Sequence, residues 1–239
     1  MLDIADIPVA LLAGGLATRL RPFTEKIPKA LLTVAGRPFI DHQLDLFHRH
    51  GIRKVVLCLG YLGEMVRAHL GDDFHGMNLS YSFDGDRLLG TGGAIRKALP
   101  LLGEIFWIIY GDSYMDINYR AVLSDFESHP DALGLMTVLE NQNRWDKSNV
   151  VFRDGKLLRY DKKQPTADMH FIDYGIALLR RPAAERLPID QPSDLADLYG
   201  DLVAEDLMIG HEVHERFYEI GTPASLAEAD AYLATLNSR

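Results

Sequence analysis

Short apolar runs rich in valine, isoleucine and leucine alternate with segments of helical period along nearly the whole chain. Residues 8–13, 54–59, 79–83 and 105–110 read as strands, and the last is apolar throughout, as in a sheet covered on both faces. Residues 39–50, 62–70 and 92–99 read as helices. Ile40, Leu44 and Phe47 share a face of the first, which Gly51 stops, and Pro100 closes the third. Further along come a helix at 119–127, a strand at 133–139, a hairpin at 149–160 turning at Asp154-Gly155, and a strand at 172–179. A helix at 194–208, a strand at 215–220 and an amphipathic helix at 223–236 complete the pattern. This alternation implies an α/β fold: a doubly wound, mainly parallel, Rossmann-like sheet with a small antiparallel insertion. No linker or short repeat interrupts it, so residues 1–239 are expected to form a single domain. Such sheets bind ligands at the carboxyl ends of their strands. The loops after Ala13, Phe83, Tyr110 and Ile220, and the segment 161–173, are therefore where chemistry is sought.

The net charge of −9 argues against a nucleic-acid surface, but a local basic site can still hold a small anion. The lone cysteine, Cys58, lies in the apolar run VVLCLG and reads as core. The start, MLDIADIP, has no basic or long apolar region, and no run approaches the roughly 20 apolar residues that span a bilayer. A cytoplasmic protein without a membrane partner is expected. The nine histidines show no metal-ligand spacing and read as structural or solvent-facing.

Against the acidic average, residues 11–32, LLAGGLATRLRPFTEKIPKALL, carry Arg19, Arg21, Lys26 and Lys29, with only Glu25 opposing. Gly14-Gly15 follow the first strand, where free N–H groups and the absence of side chains favour a bound anion. Arg19 offers a bidentate fork and Lys29 a compact charge, a combination suited to a polyphosphate. The stretch has neither Gly-Lys-Ser/Thr nor G-x-G-x-x-G. On its own it also reads as a plain turn with a solvated basic face. A second glycine-rich piece, LLGTGGAIRKAL at 88–99, permits close backbone approach, with Ile95 where a dinucleotide fingerprint would have its last glycine. In GDSYMD, Asp112 just past a buried strand suits Mg²⁺, a hard cation that prefers oxygen ligands, or forms an ordinary Gly-Asp turn; Asp116 reads as a helix N-cap.

The composite GGLATRLRPFT, IPKALL and GRPFI resembles the signature of sugar-1-phosphate nucleotidyltransferases, G-G-x-G-T-R-L-x-P-x-T followed by P-K-x-L. Ala17 stands where that pattern has glycine. The resemblance implies a nucleotide site at Leu12, Ala13, Gly14, Gly15, Ala17, Thr18, Arg19, Lys29, Gly90, Thr91, Gly92 and Gly111, with Arg19, Lys29 and Asp112 catalytic. It also implies Mg²⁺ as cofactor. RFYEIGTPASLAEAD resembles the family's closing D-x-G-T-P segment, which makes Glu219 the second metal ligand beside Asp112. Asp161, Lys162, Asp173, Tyr174 and Gly175 are implied at the sugar phosphate, with a surface lysine beside Lys163 the other reading of Lys162; Trp145 and Asn149 read equally as its border or as core and turn residues. LGTGGA is most similar to the heptose-1-phosphate and mannose-1-phosphate guanylyltransferase types. The partners implied are GTP and D-glycero-D-manno-heptose 1-phosphate or mannose 1-phosphate, for polysaccharide precursor synthesis; UTP, dTTP or CTP with another acceptor is the alternative. A glycosyltransferase would need a D-x-D motif, and a non-catalytic homologue would not need the basic and metal residues. Homo-oligomer formation is left open.

Overall fold

In the computed structural model, residues 2–237 are described. The first half runs β1 (Val9–Leu12), the small pair β2 (Thr33–Val34) and β3 (Arg37–Pro38), α1 (Phe39–Arg49), β4 (Lys54–Leu59), α2 (Gly63–Leu70), β5 (Asp73–Phe74), β6 (Met77–Phe83), α3 (Gly90–Ala98) and β7 (Ile105–Tyr110). Then follow β8 (Ser113–Tyr114), α4 (Tyr119–Glu127), β9 (Gly134–Glu140), β10 (Val150–Arg153), β11 (Lys156–Tyr160) and β12 (Phe171–Arg180). The chain finishes with α5 (Arg181–Ala184), α6 (Leu195–Ala204), β13 (Met208–Val213), β14 (Tyr218–Glu219) and α7 (Pro223–Asn237).

The central sheet has the order β11-β10-β12-β7-β1-β4-β6-β5, and β9 pairs with both β12 and β13. In its parallel centre Val9 lies opposite Val55 of β4 and Trp107 of β7. Parallel neighbours need crossovers, which α1, α2 and α3 supply. The pleat divides each strand between two cores. Val9, Leu11, Trp107 and Ile109 pack with α1, α2 and α4; Ala10, Phe106 and Ile108 pack with α3, α5 and α6. Helices on both faces explain why these strands are apolar throughout rather than alternating. Among the described residues no helix is long and apolar enough to cross a membrane.

The antiparallel part exceeds the expected hairpin. β12 runs antiparallel to both β7 and β9. The helix expected to Met208 ends at Ala204, and Met208–Val213 instead forms β13, parallel to β9. A Cβ at Gly210 would fall 2.6 Å from the Phe152 ring. The glycine that weakens the strand signal is what lets β13 pass that ring. The strand expected at 215–220 shrinks to Tyr218–Glu219, paired with β8. Asn118, not Asp116, caps α4 through Ala121 N–H; Asp116 is 2.8 Å from His50 Nε2, and that hydrogen bond leads the causes that lower its pKa.

Candidate active site

The carboxyl ends of β1, β6 and β7 open on a cavity of about 480 Å³. Leu12, Ala13, Gly14 and Gly15 enter it from β1. A Cβ on Gly14 would lie 2.8 Å from Gly60 N, whereas one on Gly15 would meet nothing within 4 Å. The first glycine is therefore needed for packing and the second borders open space. Ala17 adopts φ +47°, the left-handed conformation a glycine takes freely, at a cost of about 1 kcal/mol for an L-residue. Its carbonyl accepts from Thr24 Oγ1 at 2.9 Å and Leu20 N at 3.1 Å, which fixes the turn. Thr18, Arg19 and Lys29 line the cavity after it.

At the end of β7, Gly111 N–H donates to Leu12 O at 2.9 Å, and a Cβ on Gly111 would press on Ala13. This close approach delivers Asp112 to the cavity, where its Oδ2 is 2.7 Å from Lys29 Nζ. Gly90 and Thr91 also line it. Gly92 does not: it donates to Ser193 O, and a Cβ there would lie 2.6 Å from Ser193 Oγ. That glycine serves packing of the 191–194 segment on α3. Cys58 borders the cavity, but burial pushes its thiol up to about 12, so it is no nucleophile near neutral pH.

Asp84 is a cavity residue that the sequence reading missed. It follows β6, at a strand's carboxyl end, which was the available signal. Its Oδ2 accepts from Leu89 N at 3.1 Å, and Oδ1 has no protein partner among the described residues. Burial raises its pKa above the usual carboxylate value, against the pull of Leu89 N–H and Lys97.

A second cavity, of about 520 Å³, shares Arg19 and Tyr110 with the first. The register of β12 shifts between Asp173 and Ala177, with Gly175 at φ +101°. This bulge turns Asp173, Tyr174 and Gly175 to the cavity, joined by Lys162, Trp145 and Asn149. Asp161 lies outside its lining; its Oδ1 accepts from the N–H groups of Lys163 and Gln164, which makes it a turn former. The Asp173 side chain is only 3% exposed and sits 3.6 Å from Lys162 Nζ. It accepts from Tyr160 OH at 3.2 Å and Gly175 N at 3.0 Å, so its oxygens are engaged within the protein. Burial is the largest single influence and would lower the Lys162 pKa, but Asp173, with Tyr110 and Asp194 adding to it, together outweigh burial and hold the ammonium above the ordinary lysine value. Asn149 Oδ1 accepts from Asp173 N at 2.9 Å and so supports the bulge. Phe217, with its ring centroid 6.1 Å from that of Trp145, and Tyr218 extend the wall; neither was anticipated as a site residue.

The pairing of β8 with β14 sets Glu219 opposite Ser113, and Ile220 N–H donates to Asp112 O at 2.9 Å. Glu219 borders the second cavity and Asp112 the first. Among the described residues no three His, Cys, Asp or Glu side chains gather for a metal. Two carboxylates beside adjoining cavities lined by Arg19, Lys29 and Lys162 suit Mg²⁺, a hard cation that keeps several waters and commonly takes its other ligands from phosphates. The Lys29 ammonium on Asp112 is a stand-in cation consistent with that fit.

Residues 9–155 match the family described as nucleotidyl transferase. The chain belongs to the nucleotidyl transferase family. It is similar to the D-glycero-alpha-D-manno-heptose 1-phosphate guanylyltransferase of Aneurinibacillus thermoaerophilus, 31% identical over 156 residues, 64% of this chain and 66% of that protein, just under two thirds of its length. It is also similar to the N-acetylmuramate alpha-1-phosphate uridylyltransferase of Caulobacter vibrioides, 30% identical over 236 residues, 94% of this chain and 96% of that one. The fold is shared with the crystal structure of HddC from Yersinia pseudotuberculosis complexed with GMP-PN: TM-score 0.78, 23% identity, 95% of this chain and 99% of that chain. The family match of this nucleotidyl transferase contains Arg19, Lys29, Asp84 and Asp112, while Lys162, Asp173 and Glu219 lie beyond it.

Proposed function

We propose that the protein transfers a guanylyl group from GTP to a heptose or mannose 1-phosphate, giving a nucleotide sugar and pyrophosphate. The observation that carries this is the meeting of two cavities at Arg19 and Tyr110, with Lys29 and Asp112 on one side and Lys162 on the other. A phosphate oxygen of the sugar attacks the α-phosphorus in line, and the bond to the β,γ-pyrophosphate breaks. Positioning and charge neutralisation do most of the work in such a transfer. Arg19 grips the triphosphate and Lys29 its transferring end. Lys162, kept charged by Asp173, holds the sugar phosphate. Asp112 and Glu219 would hold Mg²⁺, which supplies further charge neutralisation on phosphate oxygens.

Asp84 supports the choice of guanine. An ionised carboxylate only accepts hydrogen bonds, and guanine presents N1–H and N2–H₂ side by side, whereas uracil offers one N–H between two carbonyls. The LGTGGA resemblance and the Aneurinibacillus guanylyltransferase agree with this choice. The Caulobacter relative, matched along nearly the whole chain, favours UTP as the second reading. Pyrophosphate release from five nucleoside triphosphates against several sugar 1-phosphates decides between them. A cytoplasmic role in polysaccharide precursor synthesis belongs to the same proposal.

A further inference from the structure

Lys29 rests on Asp112, the carboxylate proposed above to hold a divalent cation. Its Nζ is 2.7 Å from Asp112 Oδ2, and the two side chains are 16% and 33% exposed. The other oxygen, Oδ1, accepts from Ser113 Oγ at 3.2 Å. Both carboxylate oxygens are thus engaged before any ligand arrives. Asp112 is the only carboxylate paired with Lys29 among the described residues. A largely buried ammonium does not leave such a partner without another anion to receive it. Arg19 lines the same cavity and has no carboxylate partner among the described residues, so it can meet phosphate without breaking a pair.

We propose that Lys29 gates the cation site: without nucleotide it holds Asp112 in place of a divalent cation, and a phosphate group that draws Lys29 away frees the carboxylate. An ammonium and a divalent ion repel each other, so they cannot share one carboxylate oxygen cheaply. Nucleotide and cation must then bind with positive coupling, each raising the affinity for the other by the same factor. The identity of the phosphate rests on the function proposed above; the exchange of cations on Asp112 does not.

The test is a Mn²⁺ titration of the nucleotide-free protein, followed by electron paramagnetic resonance of the unbound ion. Lys29→Met and Lys29→Gln should each tighten Mn²⁺ binding about tenfold or more over the parent, the scale of one charge-assisted hydrogen bond. Adding Asp112→Asn to Lys29→Met should erase the gain. Arg19→Ala, which removes a positive charge from the same cavity but breaks no ion pair, should change the affinity less than about threefold on the same scale. Parent and Lys29 variants that bind Mn²⁺ alike, including no binding by any of them, would overturn the gate. So would an equal gain from Arg19→Ala, which would make the effect one of general field. No substrate is present, so this result stands apart from the pyrophosphate assay that tests the reaction.

Discussion

Glu219 folds its carboxylate over Gly221: a methyl group built on Gly221 would lie 2.5 Å from Glu219 Oε2 and 3.1 Å from Oε1. The glycine leaves room for the extra methylene that distinguishes Glu219 from the aspartate of the resembling motif. Gly221 is not in the left-handed region, so alanine there meets no backbone strain. The atom it would strike is the end of a flexible side chain, so the fold should survive while the carboxylate moves. Gly221→Ala is expected to lower activity about 10- to 100-fold and raise the Mg²⁺ requirement, the scale for disturbing the support of a metal ligand. Unchanged activity, with an unchanged melting curve, would remove Glu219 from the cation site.

Asp112→Asn should cost about 10²-fold or more in kcat, as for loss of one electrostatic stabiliser. The backbone bond from Ile220 N–H to Asp112 O is untouched, so a folded protein is expected. Circular dichroism checks the fold, and turnover near the parent's at saturating Mg²⁺ would count against a catalytic Asp112.

Lys162→Ala should raise the sugar-phosphate KM about 10- to 150-fold, the range for one lost charged contact, with less effect on the nucleotide KM. Arg19 borders both cavities, so Arg19→Ala should raise the nucleotide KM most and the sugar KM as well. Unaltered sugar-phosphate kinetics in Lys162→Ala would move that phosphate elsewhere.

Against burial, Asp173 with Tyr110 and Asp194 raises the folded-state pKa of Lys162 above the ordinary lysine value. The pair's contribution to stability is therefore complete below the unfolded lysine pKa and fades only as pH rises through the folded one. Between about pH 6 and 9 the parent's acceptor KM should be flat with respect to this group. In Asp173→Asn, burial of Lys162 dominates, its pKa falls, and the acceptor KM should climb toward the alkaline end. A flat profile in the variant would show that Asp173 does not set the charge of Lys162.

The raised pKa of Asp84 means that it protonates at a higher pH than an ordinary carboxylate. As pH falls toward that range, the GTP KM should rise, and the fold should hold because the native environment favours the neutral form. Asp84→Asn removes one acceptor from the base edge and should raise the GTP KM about tenfold while changing UTP little. Parallel shifts for both bases would place Asp84 away from the base.

The parallel centre and the first basic loop were legible because their signals are local. An apolar run, two glycines and a cluster of cations are contiguous between Leu11 and Leu32. The roles of Gly92 and Asp173 were not legible, because their partners Ser193 and Tyr160 come from other elements. β13 was lost behind Gly210, His211 and Glu212, which break the apolar pattern of a strand that fills its space with the Phe152 ring. Asp84 directly follows Phe83, at a loop where chemistry was sought, but nothing in FDGDRLLG singles it out until the fold places it in the cavity wall.

The most direct test of guanylyl transfer is pyrophosphate release by the purified protein with Mg²⁺, across five nucleoside triphosphates and a set of sugar 1-phosphates. The account predicts release that needs both substrates and is fastest with GTP and a heptose or mannose 1-phosphate. Faster release with UTP would contradict the guanine assignment, and no acceptor-dependent release from any pair would contradict the reaction itself.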